Sequence, residues 1–176
     1  MKAVLISIQP RWCEKIANGD KTDEIRKNAP TLPVPFKCYI YQTRMMWAYP
    51  ILRALKLFDL VDKLEIGKGK VIGEFACDKI EQVDVNNIER LQKTSWVSSD
   101  DMWKYASPKS MFDLKAWHIS DLVIYDEPKP LAAFRKTCVK DLHCESCGMY
   151  RNNTGVCGNA ALTLSRPPQS WCYVEG

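Results

Sequence analysis

Lys21, Glu24 and Arg26 fall within one short stretch, Gly19-Asp20-Lys21-Thr22-Asp23-Glu24-Ile25-Arg26. A lysine, a carboxylate and a guanidinium brought together can do two kinds of chemistry. Lys21 and Arg26 can hold a phosphate or a base edge, with Glu24 orienting Arg26 or accepting an amino proton. The same groups can also exchange protons as an acid–base set. A further acid, Glu74, lies in the apolar run Lys70 to Cys77. A carboxylate there must be paired, solvated at a cleft, or shifted in pKa. Glu74 therefore reads either as a member of the same cleft or as a charge paired with Lys21 or Arg26. His118, after Trp117, is a candidate cleft residue or a satisfied structural histidine.

A second constellation is Cys138-x5-Cys144-x2-Cys147-x9-Cys157. A C-x2-C pair bends two thiolates round one ion, and further cysteines complete a tetrahedron. Zinc suits four thiolates in a closed structural site, which leaves no open position for catalytic water. Cys138 is the first choice for the fourth ligand; Cys172 and His143 are the alternatives. Cys13, Cys38 and Cys77 fall on an expected helix or strands and read as packing residues.

The elements that must position these groups follow from pattern. Lys2 to Ile8 is a strand. A short helix starts at Pro10, whose missing N–H costs nothing in a first turn. Trp12, Ile16 and Ala17 recur at helical spacing, and Asn18-Gly19 stops the helix. The strand Thr22 to Lys27 follows, where alternation puts Glu24 and Arg26 on one side and Ile25 on the other. Lys21, at the turn, can swing over the Glu24 side. Three prolines within 28–36 forbid a helix. Lys37 to Thr43 reads as a central strand, residues 44–66 as a helical insertion, and Lys70 to Cys77 as a strand with Ile72 and Ala76 on the face of Glu74. Asn86 to Lys93 is helical. Ser98-Ser99-Asp100-Asp101 caps a helix over Met102 to Ala106. Lys115 to Asp126 gives one or two strands, and Ser170 to Glu175 a terminal one.

The chain has 176 residues, 46% of them hydrophobic, which suits one domain with a real core. Its net charge of +4 is concentrated: residues 1–44 hold eight Lys/Arg against four Asp/Glu, and the rest holds 17 of each. A basic patch there would attract phosphate. Eight cysteines without an export signal argue for thiols or metal rather than disulfides, and place the protein in the cytoplasm. Met45 to Val61 is broken by Arg53, Lys56 and Asp59 and is too short and polar to span a bilayer. Among six tryptophans, Trp12, Trp117 or Trp171 could stack on a base, with core filling the ordinary role. No Ser/His/Asp set, P-loop or dinucleotide-binding glycine pattern is present.

The spacing G-x-K-x-x-E-x-R, here Gly19, Lys21, Glu24 and Arg26, resembles the signature of the ASCH domain, a branch of the PUA-like fold. Gly69 to Phe75, Trp117 to Leu122 and Arg166 to Glu175 also look like that family, notably its small bacterial and phage members. The resemblance touches most of the chain except 44–66 and 138–160. It implies an α+β fold, a PUA-like small mixed β-barrel with flanking helices. Residues 1–176 then form a single domain carrying the helical insertion 44–66 and a C-terminal zinc-binding loop at 138–160.

For function the resemblance implies binding of RNA or a nucleotide-type ligand through Lys21, Glu24, Arg26, Glu74 and His118. One branch instead consists of metal-independent amidohydrolases that deacetylate acetylcytidine with a lysine, a threonine and a glutamate. Lys21 matches the lysine and Glu74 the glutamate, but Glu24 stands where that branch has threonine. A carboxylate cannot replace a hydroxyl as nucleophile, although Lys21, Glu24 and Glu74 remain a conceivable acid–base set. A third reading is a phage accessory protein whose insertions contact a host protein.

Overall fold

The computed structural model describes residues 2–44, 69–138 and 159–176. The insertion expected at 44–66, Arg44 apart, lies outside them. So do most of the loop expected at 138–160, with Cys144, Cys147 and Cys157, and the alternative ligand His143.

The order begins with β1 (Lys2–Ile8), α1 (Pro10–Ala17), β2 (Asp23–Arg26) and β3 (Phe36–Gln42). Pro10 opens α1, and Asn18 N–H returns to the Glu14 carbonyl. Gly19, at φ 77, then turns the chain through a conformation that favours glycine. There follow β4 (Lys70–Cys77), β5 (Ile80–Gln82), α2 (Ile88–Ser95) and α3 (Ser99–Ala106). The last elements are β6 (Lys115–His118), β7 (Ser120–Pro130) and β8 (Trp171–Glu175). Ser98 caps α3, its Oγ accepting from Asp101 N–H at 3.1 Å; such caps contribute about 1 kcal/mol.

The strands form two sheets, β7-β4-β3-β1-β8 and β2-β6-β5. β1 runs parallel to β3 and antiparallel to β8. The closed barrel expected from the sequence is not formed among the described residues. β6 and β7 are almost contiguous, yet β6 pairs only with β2 and β5, whereas β7 pairs with β4. The chain changes sheet through Ile119, with Asp121 in the left-handed region at φ 47.

Alternation along the strands sorts the core. Val4, Ile6, Ile8, Cys38, Ile40, Phe75 and Cys77 face Trp117, Ile119 and, on α1, Cys13 and Ile16. Trp117 is fully buried, edge-on to Phe36 and Trp171. The other face of the large sheet carries Leu5, Tyr39 and Val71 under Phe134 and Leu164. Ile25 and Ala116, behind the small sheet, meet Leu91 of α2 and Met102 and Ala106 of α3. Burial pushes the thiol of Cys77 up to about 12 and those of Cys13 and Cys38 further, consistent with packing roles. Among the described residues no helix is long and apolar enough to cross a membrane.

Candidate functional site

The Gly19–Arg26 stretch folds as its alternation predicts. Glu24 and Arg26 share one face of β2, while Ile25 packs behind the sheet. Lys21 turns over that same face, 2% exposed. Its ammonium lies 3.2 Å from Glu24 Oε2 and donates to the Asp23 carbonyl at 2.8 Å and the Ser95 carbonyl at 2.6 Å. Two of its three donors are thus hydrogen-bonded, and Glu24 supplies the counter-charge. Ser95 is the last residue of α2, so Lys21 satisfies a free C-terminal carbonyl and complements the helix dipole there.

Glu24, 5% exposed, is held from both sides, because its Oε1 also faces Arg26 Nη2 at 3.0 Å. Arg26 Nη2 donates to the Ser7 carbonyl at 2.6 Å, whereas Arg26 Nε is buried without a partner. Glu24 Oε2 has ion-pair proximity to Lys21 but no aligned hydrogen bond. The buried Lys21 and the partly buried Arg26 therefore share one carboxylate, leaving a net positive hub.

This hub forms part of the wall of a cleft of about 720 Å³. Ser7, Ile8 and Gln9 bring in the end of β1; Arg11 and Trp12 bring in the first turn of α1. Lys27 and Asn28 follow β2, Asp101 and Tyr105 come from α3, and Gln169 and Ser170 precede β8. Of the charged lining groups, Arg11, Lys21, Arg26 and Lys27 are basic, and Glu24 and Asp101 acidic. The excess charge of residues 1–44 is concentrated here. The Arg11 guanidinium lies 4.5 Å from the Trp12 ring centroid, and Lys27 Nζ lies 5.2 Å from that of Tyr105. Sequence reasoning did not place Arg11, Lys27, Tyr105 or the Ser7 carbonyl in the site. The basic excess of the first segment was the signal for the first two.

Glu74 does not join the cleft. It stands opposite Tyr39 on the outer face of the large sheet, bonded to Lys37 Nζ at 2.9 Å and Tyr125 Oη at 2.5 Å. The expected pairing with Lys21 or Arg26 is likewise replaced by Lys37. The cause is irregular register along β4, which turns Ile72 into the inner core and leaves Glu74 outside, not on one face with it. Burial raises the Glu74 pKa, but hydrogen bonds from Tyr125 and Lys37 and the charges of Lys37 and Lys129 outweigh it and hold the carboxyl low. Burial and that carboxylate push the Tyr125 hydroxyl up.

His118 is also outside the cleft. Trp117 pairs opposite Glu24, so alternation turns His118 to the other side with Asp23. Its Nδ1 meets Asp78 Oδ1 at 2.7 Å. Of the cysteine set, Cys138 is exposed. Cys172 sits in β8 opposite Leu5, its thiol pushed up by burial against the opposing charge of Lys136. Among the described residues no group of three or more His, Cys, Asp or Glu could hold a metal.

No protein-family model matches the chain, and no curated protein matches it. Solved structures do. A tyrosine-to-phenylalanine variant of the ASCH protein of Zymomonas mobilis aligns at 22% identity and a TM-score of 0.53, covering 74% of this chain and 77% of that one. A serine-to-alanine variant of the same protein gives the same identity and TM-score over 73% and 74%. The mixed α+β architecture built here on the Lys21–Glu24–Arg26 turn is thus the fold of these bacterial ASCH proteins.

Proposed function

We propose that the cleft binds RNA or a nucleotide-type ligand. The observation that carries this is the net positive hub at its wall: buried Lys21 and partly buried Arg26 on one carboxylate, with Arg26 Nε unpaired. An anionic ligand completes such a hub, and Arg11 and Lys27 extend the positive charge to the rim. Trp12 and Tyr105 add aromatic surface suited to a base. Lys21 acts as a positioning residue, because it is almost fully buried, donates to the Asp23 and Ser95 carbonyls and pairs with Glu24. An acid–base set of Lys21, Glu24 and Glu74 has no support in the geometry, with Glu74 bonded to Lys37 and Tyr125.

The test is the salt dependence of binding to short single-stranded RNAs. Arg11→Ala and Lys27→Ala should each weaken binding and lower the slope of log affinity against log salt by about 0.7 for a lost phosphate contact. Unchanged affinity and slope in both variants refute the reading.

The zinc site belongs to the same proposal as a structural element, held by Cys138, Cys144, Cys147 and Cys157. What supports it, besides the spacing, is how the chain on either side is anchored. Arg135 and Thr163 form an antiparallel bridge, Lys136 N–H donates to the Leu162 carbonyl at 2.7 Å, and Leu164 N–H donates to the Phe134 carbonyl at 3.0 Å. The exposed Cys138 follows this pinned base.

A further inference from the structure

Trp96 follows α2 with φ 56. That left-handed conformation favours glycine, and a bulky aromatic there is strained unless something holds it. Here it is held: the indole Nε1 donates to the Asp20 carbonyl at 2.8 Å, and Lys15 Nζ lies 3.9 Å from the ring centroid. Lys15 is fixed in turn by Asp20, at 3.1 Å. Core packing does not explain the choice, because Trp96 remains 49% exposed. The result is a fixed, flat, half-exposed ring with a cation over one face.

This ring adjoins the cleft, because the next residue, Val97, lines it. Lys21, in the cleft wall, lies 5.2 Å from the Trp12 ring and bonds the carbonyl of Ser95, the residue before Trp96. On α1, Arg11 and Lys15 are four residues apart, so they share a face and stand about 6 Å apart along the axis. Each sits over a tryptophan ring, Arg11 over Trp12 and Lys15 over Trp96. Cation and aromatic thus repeat at a spacing that suits the backbone of an extended single strand, with bases able to stack on the ring faces that the cations leave open.

We propose that a single-stranded nucleic acid with one residue in the cleft continues along α1, its backbone beside Arg11 and Lys15 and a further base on Trp96. This rests on the nucleotide reading of the cleft and narrows it to a ligand longer than a mononucleotide. Asp20 neutralises part of Lys15, so stacking on Trp96 supplies most of the gain from length.

The experiment is fluorescence anisotropy with 5′-labelled oligouridylates and oligoadenylates of about two, four and eight nucleotides, with mononucleotides as competitors. Wild-type affinity should rise with length. The ratio of tetranucleotide to mononucleotide affinity should fall about tenfold in Trp96→Gly, which suits the backbone but removes the platform. Trp96→Phe, which loses the bond to Asp20 but keeps a ring, should retain most of the ratio. A merely structural role for Trp96 would move thermal stability in both variants and leave the ratio alone, which overturns the proposal. Mononucleotide binding without any gain from length also overturns it while sparing the cleft. Failure of every nucleotide and oligonucleotide to bind removes both.

Discussion

Replacing Lys21 by methionine keeps the side chain out to Cε and deletes its ammonium. The Asp23 and Ser95 carbonyls then lose a donor in the interior, and Glu24 Oε2 loses its ion-pair partner. Glu24 keeps only Arg26, and the Ser95 carbonyl at the end of α2 loses its charged donor. Removing one partner of a buried ion pair costs about 3–5 kcal/mol. For a chain of this size each kcal/mol lowers Tm by about 2–4 °C, so a fall on the order of 10 °C is expected. Urea unfolding of wild type, Lys21→Met, Glu24→Leu and the double variant measures it. The double variant should be less destabilised than the sum of the singles, since neither member of the Lys21–Glu24 pair is then left facing the other's absence, while Arg26 lacks its carboxylate equally in Glu24→Leu and the double variant. A Lys21→Met loss under about 1 kcal/mol, with additive effects, would refute a structural role for the ammonium and return Lys21 to direct ligand contact.

Glu74→Gln should destabilise the protein near neutral pH. The folded carboxyl is held below its ordinary value of 4.5, so its contribution is present above that value and lost as pH falls through the lower folded one. Denaturation of both proteins across that range should show their stabilities converging in acid; a constant gap would contradict the assignment. Cys13, Cys38 and Cys77, buried and with raised pKa values, should resist a thiol reagent in the native state. If zinc is bound as proposed, Cys138 should become reactive only after chelation, with release of about one equivalent of metal. Rapid reaction of Cys138 in untreated protein would exclude it as a ligand.

The local half of the site was legible in the sequence. Alternation alone put Glu24 and Arg26 on one face, and Pro10 and Asn18-Gly19 bounded the helix before them. Strands Lys2–Ile8 and Lys70–Cys77 lie at their expected bounds. What was missed depends on distant partners. No pattern links Lys21 to the carbonyl of Ser95, 74 positions away. Glu74 was misplaced because the alternation assumed along β4 breaks where its register shifts against its neighbours. The three-residue β5 has too little pattern of its own and exists through pairing with β6. The division into two sheets comes just before Asp121, whose left-handed conformation no pattern in the sequence announces.

β1 carries a further consequence. It lies between β3 and β8, and its register with β8 joins Lys2 to Glu175. Nearly every residue of β1 is buried in the finished fold. During folding, this apolar ribbon can find β3 early but must wait for a partner at the far end of the sequence. Contact order of that kind makes folding slow, and until β8 arrives one edge of Ala3-Val4-Leu5-Ile6 stays open to other chains. Refolding should therefore become concentration-dependent, losing yield to aggregates at high protein, and lose still more when residues 171–176 are removed.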